Sequence, residues 1–166
     1  MRLDTQRMTL RPHDLADYPV FRAFWMSDRA CHIGGPLPHD HEVWRQFAAE
    51  RGHWALRGFG LWTLVGNATG AVLGWVGLQQ PAHYDCPELA WHLTAGAEGQ
   101  GLATEAARAA LAHGRGALGM GRVISYVADA NARSQRLAER LGAVLVERGN
   151  SLGTPYALYD HPQVAP

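Results

Sequence analysis

The sequence predicts a mixed α/β fold, one sheet with helices packed on both of its faces. Three observations predict it. Short runs rich in Val, Leu, Trp and Tyr alternate with Ala- and Leu-rich stretches at helical spacing. Glycine clusters separate them, as at Gly34-Gly35, Gly66–Gly70 and Gly99–Gly101. The 166 residues are one domain's worth, residues 1–166 taken as a single unit. A chain this long buries roughly 70% of its unfolded surface and needs no staples.

Each element has its own signal. Met8 to Arg11 reads as a short strand ended by Pro12. Asp14 and Asp17 are candidate N-caps. A helix from about Asp17 to Met26 aligns Tyr18, Phe21 and Trp25, with Pro19 tolerated in the first turn. Cys31 to His41 is loop, broken by Gly34-Gly35-Pro36 and Pro38. Val43, Trp44, Phe47, Ala48 and Trp54 mark a second helix, with Gly52 near its weak end. Phe59–Val65 and Ala71–Leu78 are strands joined by the turn Gly66–Gly70. Gln79 to Pro87 is loop, and Glu88 to Thr94 is the central strand. A helix begins at Leu102, and Arg122 to Val127 is a strand. Asn131 to Leu141 is a helix stopped by Gly142. Val144–Glu147 and Pro155–Tyr159 finish the sheet around a turn at Gly149–Gly153. The order is β-α-α-β-β-β-α-β-α-β-β.

Composition narrows the classes. The chain is 47% hydrophobic and 18% charged, with zero formal net charge. All fifteen basic residues are Arg. No basic stripe points to nucleic acid, and no apolar run is long enough to cross a membrane. The first residues have no apolar signal core. Cys31 and Cys86 lack a C-x-x-C spacing. These features make a cytoplasmic protein without nucleic-acid or membrane partners the expectation. Neutral net charge argues weakly against strong steering of polycations.

The most informative stretch runs from Glu88 to Arg108: strand, glycine turn, helix start. The first N–H groups of a helix have no internal partner, and the peptide dipoles add partial positive charge there. A diphosphate is the natural guest at Glu98 to Thr104. The turn alone is ambiguous. No G-K-[ST] follows, which argues against a P-loop, and Ala103 or Thr104 is a poor third glycine for a dinucleotide fingerprint.

Several segments in order carry more weight. Glu98-Gly-Gln-Gly101-Leu-Ala103 resembles the acyl-CoA signature [QR]-x-x-G-x-[GA] of the GCN5-related N-acetyltransferases. Glu98 departs from its first position. Asn131-Ala-Arg-Ser134-Gln-Arg-Leu137-Ala-Glu-Arg-Leu141-Gly142-Ala143 resembles the family's N-x-x-S-x-x-L-x-x-x-L-G-[FA] helix. Thr5 to Pro12 and Tyr159 to Pro162 resemble the branch that acetylates ribosomal-protein N-termini, the RimJ/RimL-like enzymes. The resemblance implies an acyl-CoA N-acyltransferase fold with a mostly antiparallel sheet. The central strand and its neighbour would splay apart to admit the pantetheine arm. It implies acetyl-CoA as cosubstrate, an amine acceptor and no metal, and it leaves room for a homodimer.

The resemblance also distributes roles. Leu93 would offer its backbone N–H to the thioester oxygen, and Leu93 and Ala95 would pair with pantetheine. Glu98, Gly99, Gln100, Gly101, Leu102, Ala103 and Thr104 would cradle the diphosphate, with the Glu98 carboxylate turned to solvent. Asn131 would reach the pantetheine arm, or cap its helix, or both. Ser134 would donate a proton to the thiolate. Tyr126 is the rival donor, more readily a half-buried core residue. Glu88 or His92 would relieve the amine of its proton, directly or through water. For Glu88 the bland alternative is a solvated strand end, and for His92 a sheet histidine bonded to backbone.

A metal centre at Cys31-His32, His39-Asp-His41 and His83/Asp85/Cys86 is disfavoured, because no common zinc spacing fits. The loop 31–41 reads instead as a lip of the acceptor pocket, with Trp25, Trp44 or Trp91 as walls. Two functions stay open: an N-acetyltransferase, or a non-catalytic acyl-CoA-binding module of the same fold. A nucleotide-binding protein of another fold is a distant third. The identity of the amine is not legible in the residues.

Overall fold

The computed structural model describes residues 1–151 and 153–163. Eight strands form one sheet: β1 (Leu3–Asp4), β2 (Met8–Pro12), β3 (Leu61–Gly66), β4 (Val72–Gln79), β5 (Glu88–Leu93), β6 (Val123–Ala128), β7 (Val144–Ser151) and β8 (Thr154–His161). Their order is β1-β2-β3-β4-β5-β6-β8-β7. Every adjacent pair is antiparallel except β5 and β6, which run parallel. The helices are α1 (Tyr18–Trp25), α2 (Asp40–Arg57), α3 (Leu102–Gly116) and α4 (Ala132–Arg140).

Strand parity sorts the core onto two faces. Leu10, Leu64, Val76, Leu78 and Leu89 pack with Ala106, Ala107 and Ala110 of α3. On the opposite face Trp75 packs with Phe21, Phe24 and Trp25 of α1 and with Val43 and Phe47 of α2. Val127 and Tyr159 meet Ala138 of α4, with Trp91 beside them. No helix among the described residues is long and apolar enough to cross a membrane.

Most elements fall where the periodicity puts them. Pro19 does sit in the first turn of α1. Four boundaries differ. β1 is a two-residue strand with too little pattern to read. Asp14 caps a short 3-10 turn, while Asp17 makes no side-chain cap for α1. Asp17 instead binds Arg11, with Nη1 and Nη2 each 2.7 Å from a carboxylate oxygen. α2 continues through Gly52 to Arg57 and stops at Gly58 in the left-handed conformation. β7 and β8 are longer than expected, and Gly149 and Asn150 lie in register opposite Tyr156 and Pro155. The expected turn therefore shrinks to the residues around Gly153, and its Leu152 lies outside the described residues.

Two features position the site. Gly74 has φ +146°, and a Cβ there would lie 2.1 Å from the His92 carbonyl oxygen. Only glycine lets β4 close on the end of β5. The second is the sole parallel junction. β5 and β6 share the register pair Glu88↔Ile124 and then diverge.

Candidate active site

The junction of β5 and β6 is pinned at its base. Ile124 N–H donates to the Pro87 carbonyl at 3.0 Å. The Ser125 hydroxyl donates to the Leu89 carbonyl at 2.6 Å. That spends its only proton, so its 2.9 Å contact with His161 Nε2 is a bond donated by the ring. Burial pushes His161 down to about 4. Beyond this point no strand pairs with the β6-facing edge of β5.

Backbone alternation shows which groups face the gap. Thr94 N–H pairs with Leu73 of β4, and Leu89 turns its carbonyl to β6. In an antiparallel ladder the direction alternates by residue. Trp91 and Leu93 therefore present backbone groups to the opening, and Leu93 is oriented as its expected role requires. Its carbonyl is occupied: Arg29 donates to it from Nε at 3.2 Å and Nη2 at 3.0 Å.

At the mouth of the opening lies the glycine turn. Ala95–Ala97 form a 3-10 turn, and Gly99 and Gly101 have φ +74° and +75°. The first intrahelical bond of α3 is Glu105 N–H to the Gly101 carbonyl. Leu102, Ala103 and Thr104 thus have N–H groups without intrahelical acceptors, and no side chain caps the helix. Gln100 turns its side chain back to the Gly96 carbonyl at 2.8 Å. Arg7 fixes the turn from β2's leading edge. It donates to the Gln100 carbonyl at 2.8 Å and pairs with Glu105 at 2.6 Å. Glycine is needed at 101 for its backbone angle: a Cβ there would meet nothing nearer than Arg7 Nη2 at 3.6 Å.

Glu98 corrects an expectation. Its carboxylate does not turn to solvent. It bridges Arg29 and Arg133, the latter at 2.9 Å. Arg29 sits in the loop after α1, so Glu98 ties that loop to the turn and to the start of α4.

Two cavities of about 660 Å³ each border β5, the first at Trp91–Leu93 and the second along Glu88–His92. The first runs past Gly99, Gly101 and Thr104 and is lined by Arg29, Arg133, Arg136 and Arg140. The second holds Glu50, Glu88, Tyr84, Tyr126 and Tyr156. Trp91, His92, Asn131 and Ser134 line both. At that meeting point Trp91 Nε1–H donates to Ser134 Oγ at 3.0 Å. The bond fills an oxygen lone pair and leaves the hydroxyl proton free to donate. Asn131 caps α4, its Oδ1 accepting from Ser134 N–H at 3.1 Å. Its amide NH₂ remains available to the cavities. Both readings of Asn131 are therefore compatible.

The other candidates are placed differently than expected. Glu88 is no solvated strand end. It is 6% exposed, bonded by Gln79 Nε2 at 2.9 Å and by Tyr126 N–H at 3.2 Å, and burial raises its pKa. Glu88 lines the second cavity alone, three residues or about 10 Å along the strand from Trp91. His92 makes no backbone hydrogen bond through its ring among the described residues. The ring lies against Phe24 and Trp25, at 5.9 and 6.2 Å between centroids, and burial lowers its pKa. Tyr126 is 41% exposed and is no core residue. Its phenol is pushed up by burial and then by the Glu88 charge, which makes it a poorer acid. Trp25 and Trp91 line the second cavity, but Trp44 is 47% exposed on α2 and does not. Among the described residues no three His, Cys, Asp or Glu come together as a metal cage.

The acetyltransferase (GNAT) domain family matches residues 7–144. An acetyltransferase from Agrobacterium tumefaciens is similar at 32% identity and TM-score 0.90, over 98% of this chain and 95% of its own. Two more distant structures share the fold. A ribosomal-protein-alanine acetyltransferase from Vibrio fischeri has 13% identity and TM-score 0.77, with 100% of each chain covered. RimL, a ribosomal alpha-N-protein acetyltransferase in complex with coenzyme A, has 14% identity and TM-score 0.79, over 96% of this chain and 97% of its own.

Two predictions follow from the turn. Gly101→Val should weaken coenzyme A binding at least tenfold in a protein that keeps its circular-dichroism spectrum. The β-branched residue cannot hold a left-handed backbone, at a cost of ~1–3 kcal/mol, and the N–H array is lost. Unchanged affinity by calorimetry would put the phosphates elsewhere. Glu98→Gln should lower the melting temperature of the ligand-free protein by ~1–4 °C. Exposed to part-buried ion pairs are worth roughly 0.2–1 kcal/mol each, and 1 kcal/mol is about 2–4 °C at this size. The loss should shrink in high salt. A melting curve at low salt identical to wild type would deny Glu98 its bridging role.

Proposed function

The chain belongs to the GNAT acetyltransferase family, whose fold transfers an acyl group from acetyl-CoA, and from that premise we propose an N-acetyltransferase. It moves acetyl directly to a primary amine in a ternary complex, the amine being a protein N-terminus, as in the RimJ/RimL-like branch, or a small molecule. The observation that carries this reading is the meeting of the two cavities at Trp91, His92 and Ser134. A thioester brought along the arginine-lined groove and an amine from the other side reach each other there.

The coenzyme's diphosphate lies on the N–H groups of Gly99 to Thr104. Pantetheine runs along the open edge of β5, past Leu93 and Ala95, with the Asn131 amide within its path. The amine nitrogen attacks the thioester carbon. The Leu93 N–H stabilises the oxyanion that forms. As the carbon–sulfur bond breaks, the departing thiolate takes the Ser134 hydroxyl proton, and solvent water returns a proton to the serine oxygen. The bond from Trp91 orients that hydroxyl.

The amine must also lose a proton. Of the two groups considered, His92 is at the meeting point and Glu88 is not. Its lowered pKa keeps His92 neutral and able to accept at neutral pH. Glu88 would be reached only through water over about 10 Å. On this reading His92, and not Glu88, accepts the proton. The non-catalytic alternative drew support from the Glu98 departure, and the ion pairs of Glu98 give that departure a structural reason. Thiol release from acetyl-CoA with a panel of amines tests the reading. Coenzyme A binding without thiol release for any amine would favour the alternative.

Two outcomes are expected. Ser134→Ala should lower kcat ~10²-fold while coenzyme A affinity barely changes. A loss confined to affinity would make Ser134 a binding residue. The acid limb of kcat at saturating amine should lie below pH 6.5, the ordinary histidine value, because His92 titrates lower and protonation there removes the acceptor. His92→Gln should abolish that limb. A limb at or above 6.5, or one that survives the substitution, would exclude His92.

A further inference from the structure

If the second cavity is the acceptor side, as proposed above, one of its groups has no part in the transfer: the Glu88 carboxylate. The groups that hydrogen-bond it, the Gln79 amide, the Tyr126 backbone N–H and the Tyr84 hydroxyl, are neutral. No Arg or His pairs with it among the described residues. A buried carboxylate with no counter-charge is costly to keep ionised, and a cation supplied from outside relieves that cost.

The cavity's other buried carboxylate is accounted for. The Thr63 hydroxyl spends its proton on Asp17 at 2.9 Å, where Asp17 is held ionised by Arg11. Thr63 therefore accepts from His13 Nδ1–H at 2.8 Å. His13 Nε2 lies 2.8 Å from a Glu50 carboxylate oxygen. Glu50 thus has a histidine partner, and its other oxygen accepts from Gln46 Nε2 at 3.0 Å. Glu88 is left as the buried carboxylate of this cavity without a charged partner; burial disfavours its ionised form, and a bound cation would favour it.

The walls suit a cation as well. The rings of Tyr84 and Tyr126, and of Tyr126 and Tyr156, stand edge to face with centroids 5.6 and 5.2 Å apart. Such rings offer negative π faces. The Tyr156 hydroxyl donates to Glu147 at 2.8 Å, bringing another carboxylate to the rim. The coenzyme groove has four arginines; the described lining of this cavity has none, and the sequence has no lysine. A carboxylate on the acceptor would find no arginine partner. A zero net charge conceals this local segregation.

Glu88 and His92 share one face of β5, four residues or about 13 Å apart. We propose that the acceptor is a linear diamine or polyamine whose reacting amine sits at His92 and whose remote ammonium is held by Glu88 among the tyrosines. This is a binding role for Glu88, distinct from proton transfer.

The test is a thiol-release assay on the full chain with saturating acetyl-CoA, comparing spermidine with heptylamine. Wild type should favour spermidine at least tenfold in kcat/KM, and the preference should shrink with added salt. In Glu88→Gln the ratio should collapse toward one, chiefly through a higher KM for spermidine. The coenzyme A melting shift serves as the check on folding. Heptylamine acetylated as well as spermidine by wild type would overturn the inference and leave the N-acetyltransferase reading standing. Equal proportional losses on both amines in Glu88→Gln would also overturn it, and would return Glu88 to proton transfer. If no primary amine releases thiol while coenzyme A still binds, the transferase reading itself fails and this inference with it.

Discussion

The site depends on a sheet that stops being a sheet at one place. β5 and β6 are joined at Glu88↔Ile124 and held at the base by Ser125 on the Leu89 carbonyl. Past that point the backbone groups of β5 that face β6 lose their strand partners. Backbone polar groups are obligatory hydrogen-bonding groups, so an opening of this kind is costly unless something fills it. One of these groups already has a substitute, because Arg29 takes the Leu93 carbonyl. Others are left for an extended guest with alternating donors and acceptors, which is what a pantetheine arm offers. Ser134 stands across the same opening on α4, tethered by Trp91. A parallel pair is the natural place for such a divergence: its two strands are connected through a helix, here α3, and not by a tight hairpin that would hold them together.

Charge is distributed to match. Arg29, Arg133, Arg136 and Arg140 line the groove of the first cavity, and Glu88 with three tyrosines lines the second. The carboxylate at position 98 looks misplaced beside a diphosphate until its neighbours are counted. Between Arg29 and Arg133 it leaves the three side chains with one net positive charge. The groove therefore stays attractive to phosphate, and the two guanidiniums do not repel each other unopposed.

The fold was legible because its signals are local. The glycine turn, the Ala-rich helix after it and the Asn131–Gly142 helix each carry their pattern within a dozen residues. Seven of the eight strands could be read from alternation and turn chemistry. The eighth, Leu3–Asp4, is too short to have a period. The site was legible as far as it rests on backbone: the turn and the edge of Leu93 lie where the pattern puts them. Side-chain partners were not legible, because they come from distant elements. Glu98 meets Arg29 across 69 positions, and Arg7 meets Gln100 across 93. The solvated reading of Glu88 failed for a related reason. At a strand end it reads as solvated, but this strand end is covered by β4, β6 and the Tyr84 loop. The placement of His92 on both cavities was not legible either, because a histidine in a strand carries no sign of which face a cavity occupies.

Arg29 connects these parts into one unit. A single guanidinium donates to the Leu93 carbonyl and pairs with Glu98. Leu93 lies at the β5 end of the groove, and Glu98 lies at the glycine turn. Its neighbours Asp28, Cys31, His32 and Ile33 line the same groove, and His32 and Ile33 also line the acceptor cavity. The loop after α1 is thereby anchored to β5 and to the glycine turn while it borders both cavities.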